Sequence, residues 1–149
     1  MSKVKRIKKK GGIPALKKRI KVPGIVSVGI IDAGSHIDGD LTVASIGFIH
    51  EFGTEKIPER SFMRSTIQEK KKDIIALQKK LLKQIVLGAI SQNKALGLIG
   101  EFTSDLMSQK IVSISDPPNK SQTIKRKGSS NPLVDTGQMK NSITYEVNR

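Results

Sequence analysis

Between Ile67 and Leu106 the chain carries two runs of apolar side chains at helical spacing, with a glycine between them. In the first run Ile67, Ile74, Leu77, Leu81 and Ile85 fall on one face, and Ile75 and Leu82 widen it. Lys70, Lys71, Lys72, Lys79, Lys80 and Lys83 take the opposite side. Residues three and four apart stack on one side of a 3.6-residue helix, so the pattern predicts an amphipathic helix with a basic, solvated face. Ser61 or Ser65 is placed to cap its start. Gly88 interrupts, and a second helix is expected with Ala95, Ile99, Phe102 and Leu106 on its apolar stripe. Asp116-Pro117-Pro118 stops it, because proline cannot continue the hydrogen-bond ladder. Gly97 and Gly100 weaken this helix by roughly 1 kcal/mol each relative to alanine. A close crossing would explain them, and so would simple tolerance.

The flanks read differently. Ile25-Val26-Ser27-Val28-Gly29-Ile30-Ile31 is β-branched and bounded by turn residues, hence a strand. Residues 32–40 (DAGSHIDGD) read as a loop. Residues 41–49 then form a second extended or partly helical segment, and a hairpin is the economical connection. Residues 53–64 (GTEKIPERSFMR) have no usable period, and Pro58 drives Ile57 away from helix. Residues 117–132 read as a basic, polar loop. Asp135-Thr136-Gly137-Gln138 has capping-box spacing, so a short helix to about Asn141 is expected. Ser142-Ile143-Thr144-Tyr145-Glu146-Val147 alternates polar and apolar, as a strand with one buried face does. The sum is an α+β fold: a small, mostly antiparallel sheet packed against two longer helices.

Charge divides the chain. Of 149 residues, 27 are Lys or Arg and 13 are Asp or Glu, a formal charge of +14. Residues 1–22 hold ten of those cations and no acid, among them Lys8, Lys9, Lys10, Lys17, Lys18 and Arg19. Like charges do not pack together, so this segment is expected to be a flexible basic arm, followed by a single domain over residues 23–149. The arm either orders on nucleic acid or an acidic neighbour, or acts as a solubilising tail. Lys125, Arg126 and Lys127 form a second basic cluster of the same potential. Aromatics are only 3%, which leaves few rings on which a single strand's bases would stack; duplex phosphates need none. The first ten residues are basic enough to lead a signal peptide. GGIPALKKRIKV follows where an apolar stretch is required, so export by that route is not expected. With no long apolar run either, a soluble protein made in a cytoplasm and without membrane contact is expected.

Material for catalysis is thin. No cysteine is present, which excludes disulfides, thiolate zinc sites and a Cys nucleophile. His36, Asp38 and Asp40 share one loop but lack a ligand pattern of known spacing, and turn residues bonding their own backbone explain them better. His50 precedes Glu51, a His–carboxylate pair with no nucleophile or metal partner nearby in sequence. Gly128-Ser129-Ser130 has neither the preceding strand nor the following helix of a phosphate loop. No cofactor, no metal and no enzymatic activity are expected.

Two segments carry more than periodicity explains. One is Ile49-His50-Glu51-Phe52-Gly53-Thr54 followed by Ile57-Pro58-Glu59-Arg60-Ser61-Phe62-Met63-Arg64; the other is Pro132-Leu133-Val134-Asp135-Thr136-Gly137-Gln138-Met139-Lys140-Asn141-Ser142-Ile143, preceded by Thr123-Ile124-Lys125-Arg126-Lys127-Gly128. Together they resemble the signatures of the virion-morphogenesis and tail-completion proteins of tailed phages. In that family an EFGT turn precedes an IPxRxF segment, and PLxDTGxLxxSI lies near the C-terminus. The resemblance spans residues 25–147; Ser61 stands where the family often has proline, and Met139 replaces the commoner leucine.

The resemblance implies a non-catalytic neck component that joins head and tail by assembling into a six- or twelve-fold ring. Its partners would be connector, stopper or tail-terminator proteins, with contact to channel DNA allowed, and its place would be the virion after assembly in the host cytoplasm. It also implies that Glu51, Phe52, Gly53, Pro58, Arg60 and Phe62 shape the turn into the first long helix. Leu133, Asp135, Thr136 and Gly137 would shape the way into the last helix and strand. Physically, Arg60 can grip a carboxylate with two parallel bonds, Phe62 can plug the core and Asp135 can cap a helix. The alternative class is a small basic DNA- or RNA-binding protein, which the charge supports although nothing reads bases.

Overall fold

The computed structural model of the chain describes residues 12–20, 24–31 and 41–148. Among them the order is α1 (Gly12–Arg19), β1 (Ile25–Ile30), α2 (Val43–Phe52), α3 (Met63–Leu87), α4 (Gln92–Ser113), α5 (Ser121–Lys127), α6 (Gln138–Asn141) and β2 (Ile143–Asn148). The fold is α+β, as expected, with six helices among the described residues where two long ones and a short one at residues 138–141 were expected. The two long ones, α3 and α4, are those that periodicity predicts. Gly88 ends α3, its N–H bonding the Ile85 carbonyl at 2.9 Å, and Ser91 caps α4 by accepting from Lys94 N at 3.2 Å.

The sheet has two strands. β1 pairs antiparallel with β2, from Ile25 opposite Asn148 to Ile30 opposite Ile143. The hairpin between residues 25–31 and 41–49 is therefore not formed: residues 43–52 are helix α2, and the chain's far end supplies the strand partner. Thr42 caps α2 through its side chain, which accepts from Ser45 N at 3.1 Å. Val43, Gly47 and Glu51, four residues apart in turn, form its buried stripe. That spacing outweighs the strand preference of Val43, Ile46 and Ile49 once the stripe has a core to face.

α4 is the central element. One side packs on both strands, and the other on α3. The larger core lies where the sheet, α2, α4 and the segment after α5 converge: Val43, Phe62, Met107, Ile111, Leu133, Met139 and Ile143. A second cluster, Leu81, Ile85 and Ala95, joins the distal ends of α3 and α4. Ile74, Leu81 and Ile85 of the predicted α3 face are buried, whereas Ile67, Ile75 and Leu82 are 43%, 36% and 52% exposed. Among the described residues α3 packs mainly on α4, with a smaller contact from α1 at its far end, and neither closes over the widened part of the stripe.

Gly100 is the close crossing, and it is with a strand residue rather than a helix. A Cβ there would lie 2.4 Å from Tyr145 Cδ2 and 2.9 Å from Tyr145 Cβ, atoms at the root of the side chain that cannot swing away. At Gly97 the nearest atom is the Tyr145 hydroxyl at 3.7 Å, an ordinary contact. Gly100→Ala is therefore expected to cost about 1–3 kcal/mol despite alanine's better helix propensity. Gly97→Ala should stabilise by up to about 1 kcal/mol. Chemical denaturation of the two variants checks the pair; equal effects would contradict this contact.

Two loop expectations change. Residues 121–127, within the stretch read as loop, form α5, with Lys125, Arg126 and Lys127 in its last turn, where cations face the negative helix end favourably. Within the basic arm, residues 12–19 are helical, and Arg19 Nη1 donates to the Val86 carbonyl of α3 at 2.7 Å. Residues 1–11 and 21–23, including Lys8, Lys9 and Lys10, lie outside the described residues, as does the His36, Asp38 and Asp40 loop.

Candidate partner-binding cleft

The first motif is organised by Glu51. It is 3% exposed near the end of α2, and its carboxylate lies at the start of α3. Oε2 accepts from Phe62 N and Met63 N, each at 2.8 Å. Oε1 accepts from Arg64 N at 2.9 Å, Ser61 Oγ at 2.8 Å and Arg64 Nε at 3.0 Å. A helix's first N–H groups have no partners within the helix, and a negative group there also meets the positive end of the dipole. Burial by itself would raise the Glu51 pKa; the bonds from Arg64 N–H, Met63 N–H, Ser61 and the Arg64 side chain outweigh it and hold the carboxyl below its usual range.

This arrangement corrects two expectations. Neither Ser61 nor Ser65 caps α3: Ser61 donates to Glu51, and Ser65 donates to the Ser61 carbonyl. The arginine on the carboxylate is Arg64, not Arg60. Arg64 Nη2 also bonds Glu59 at 2.9 Å, and its guanidinium stands 4.5 Å from the Phe52 ring centroid. Phe52 is thus a surface residue, 51% exposed, with its ring 4.7 Å from that of Phe48, which is 65% exposed.

Between Phe52 and Phe62 the chain makes a tight turn. Gly53 has φ 72°, and a Cβ there would sit 2.8 Å from Glu59 N, so only glycine fits. Thr54 N donates to the Ile57 carbonyl at 2.8 Å, and Thr54 Oγ1 accepts from Ile57 N at 3.1 Å. Pro58 is exposed at the tip. Arg60 returns inward, 5% exposed, and donates to the Pro117 carbonyl at 2.6 Å and the Pro118 carbonyl at 3.0 Å. It holds the α4–α5 connection by backbone oxygens, where a carboxylate was expected. Phe62 is fully buried.

The second motif is positioned by Asn131, which sequence reasoning passed over. Its Oδ1 accepts from Leu133 N at 3.0 Å and Val134 N at 2.9 Å, and its Nδ2 donates to the Val112 carbonyl at 2.8 Å. An Asn two residues before the leucine of the motif, in a Ser-Ser-Asn-Pro run, is the signal that was available. Leu133 enters the core. Asp135 does not cap α6: Gly137 occupies the cap position, and Thr136 Oγ1 accepts from Gln138 N at 3.3 Å. Asp135 instead sits near Lys127 and raises its affinity for a proton, against a larger lowering by burial.

Both motifs border one cleft of about 530 Å³, with α5 as its third side. Ile57, Leu133 and Met139 contribute apolar surface, and Arg60, Arg126 and Lys127 contribute charge. His50 reaches it from α2. Its Nδ1 is buried without a hydrogen-bond partner, and it makes no bond with Glu51. Burial, then the charges of Arg60 and Lys127, lower its pKa from 6.5 to about 4, so the imidazole is neutral at physiological pH. Of the basic candidates, Lys125 and Arg126 are exposed, Lys127 is half-buried and bonds the Asn131 carbonyl at 3.1 Å, and Lys17 and Lys18 are exposed on α1. Among the described residues no three His, Cys, Asp or Glu side chains gather as a metal site would require, and no helix is long and apolar enough to cross a membrane.

Comparison of the chain with protein-family models, with curated proteins and with solved structures gives no match.

Proposed function

We propose that this chain is a structural, non-catalytic component of a tailed-phage particle: a tail-completion or neck protein that joins head to tail as one subunit of a ring. The observation that carries the reading is the ordered pair of motifs, residues 49–64 and 132–143, far apart in sequence and bordering one cleft. A head-to-tail ring also needs two different sticky faces on each subunit. Two exposed apolar patches on different elements support that: Phe48 with Phe52 on α2, and Ile75, Leu82 and Val86 on one side of α3. Connector, stopper or tail-terminator subunits would be the neighbours, and acidic surfaces or channel DNA would offset the +14 charge of each copy.

Electron microscopy of particles assembled without this protein tests the reading. Separate filled heads and finished tails are expected; intact particles would sink it. Deleting residues 1–22 should weaken joining in a salt-dependent way, because exposed charges are screened beyond about 10 Å at 0.1 M salt. Normal joining at every ionic strength would reduce the arm to a solubilising tail. One observation favours the second reading, a DNA- or RNA-binding protein: Lys70, Lys71, Lys72, Lys79, Lys80 and Lys83 are all exposed on α3. Retention of duplex DNA in a gel at physiological salt, with a steep salt slope, would select it.

A further inference from the structure

The cleft gathers more positive charge than its own walls neutralise. Lys56, Arg60, Lys120, Arg126 and Lys127 line it, against the single carboxylate of Asp135. Its floor is aliphatic, from Ile57, Leu133 and Met139. No Phe, Tyr or Trp ring lines it, so bases would find no stacking platform. Duplex DNA presents a convex backbone that would meet the rim and leave the apolar floor unused. A ligand that uses both surfaces is a peptide carrying carboxylates beside an aliphatic side chain. His50 Nδ1 adds a buried polar atom still without a partner.

The chain itself contains a segment of this chemistry. Although 27 of its residues are Lys or Arg, none lies between Lys21 and Lys56. Within that interval residues 32–41 read DAGSHIDGDL: Asp32, Asp38 and Asp40, with Ile37 and Leu41 beside them. Leu41, which follows Asp40 in sequence, is 51% exposed.

We propose that the basic cleft of one copy takes residues 32–41 of a second copy, carboxylates on the cationic wall and an aliphatic side chain on the floor. The contact is head-to-tail, since the cleft and the segment are different parts of the chain, and it deepens the ring reading on which it rests. It also places opposite charges together at the one interface where copies of a +14 chain must approach.

The experiment uses the full chain. Sedimentation velocity at low salt is run on the wild type, on K120E/R126E, on D38K/D40K, and on the four-fold combination. Lys120 and Arg126 are exposed, so their reversal spares the core. Concentration-dependent association is expected for the wild type, loss of at least about tenfold in affinity for either double variant, and recovery in the combination, as paired charge swaps give. A labelled DAGSHIDGDL peptide should bind the D38K/D40K protein and bind K120E/R126E at least about tenfold more weakly. A monomeric wild type, unchanged association in the double variants, or a peptide that binds both proteins equally would overturn the proposal. So would cleft variants that lose DNA retention while still self-associating, which would assign the cleft to nucleic acid. Particles that still need this protein while these tests fail would leave the neck reading standing and remove only the cleft contact.

Discussion

Glu51→Gln is expected to lower the unfolding free energy by about 3 kcal/mol at neutral pH, a large loss for a single isosteric change. The side chain keeps its size, but one acceptor oxygen becomes an NH2 group facing the N–H donors of Phe62 and Met63 or of Arg64. Buried donors without partners cost more than the bond itself was worth, and the Arg64 guanidinium loses its countercharge. The effect depends on pH with a definite sign. The folded-state pKa of Glu51 lies below its ordinary value of 4.5. Its stabilisation is therefore fully present above about pH 4.5 and is lost as pH falls through the lower, folded value. Urea unfolding of wild type and variant at pH 7 and near pH 3 should show the gap between them shrinking in acid. An unchanged gap would mean that the charge of the carboxylate is not what secures the start of α3.

Phe62→Ala is expected to cost about 3–5 kcal/mol, the range for emptying a large buried ring site. Phe62 has no exposed surface and packs among Val43, Met107, Ile111 and Leu133, which come from α2, α4 and the second motif. Removing the ring therefore loosens three parts of the fold at once, and α3 begins at its shoulder. A domain of this size has about 5–15 kcal/mol in all, so thermal unfolding should shift by many degrees. Phe62→Leu, which keeps most of the volume, should cost no more than about 1.5 kcal/mol. Equal losses in the two variants would place the cost elsewhere than in the cavity.

The two positions differ in how readable they were. A lone aromatic in a Pro-Glu-Arg-Ser-Phe turn before an amphipathic helix suggests a plug, and Phe62 is one. Glu51 looked like half of a His–carboxylate pair, because sequence shows its neighbour His50 and not the helix start across the turn. Arg64 takes the carboxylate contact expected of Arg60 for the same reason. Either guanidinium can reach a carboxylate, and only the path of the 53–60 turn decides which one meets Glu51 and which meets the carbonyls of Pro117 and Pro118. The capping box at residues 135–138 failed because Gly137, not Asp135, occupies the position before the helix.

By itself the sequence determined what depends on near neighbours. The helical spacing over residues 67–106, broken at Gly88 and stopped before Pro117, sets α3 and α4, since i and i+4 contacts lie within one turn. Alternation over residues 142–147 sets a strand with one covered face. The aliphatic character of the core and the excess of positive charge need no coordinates. The tertiary structure alone decided what depends on distant partners. It paired β1 with β2 from the other end of the chain, where a hairpin was the shorter connection, and thereby left residues 43–52 free to close as a helix on the core. Because α3 is covered mainly by α4, it also left Ile75 and Leu82 largely open on a helix whose apolar face was visible in sequence. Periodicity says which side of a helix seeks cover; only the packing of other elements says how much of it is covered.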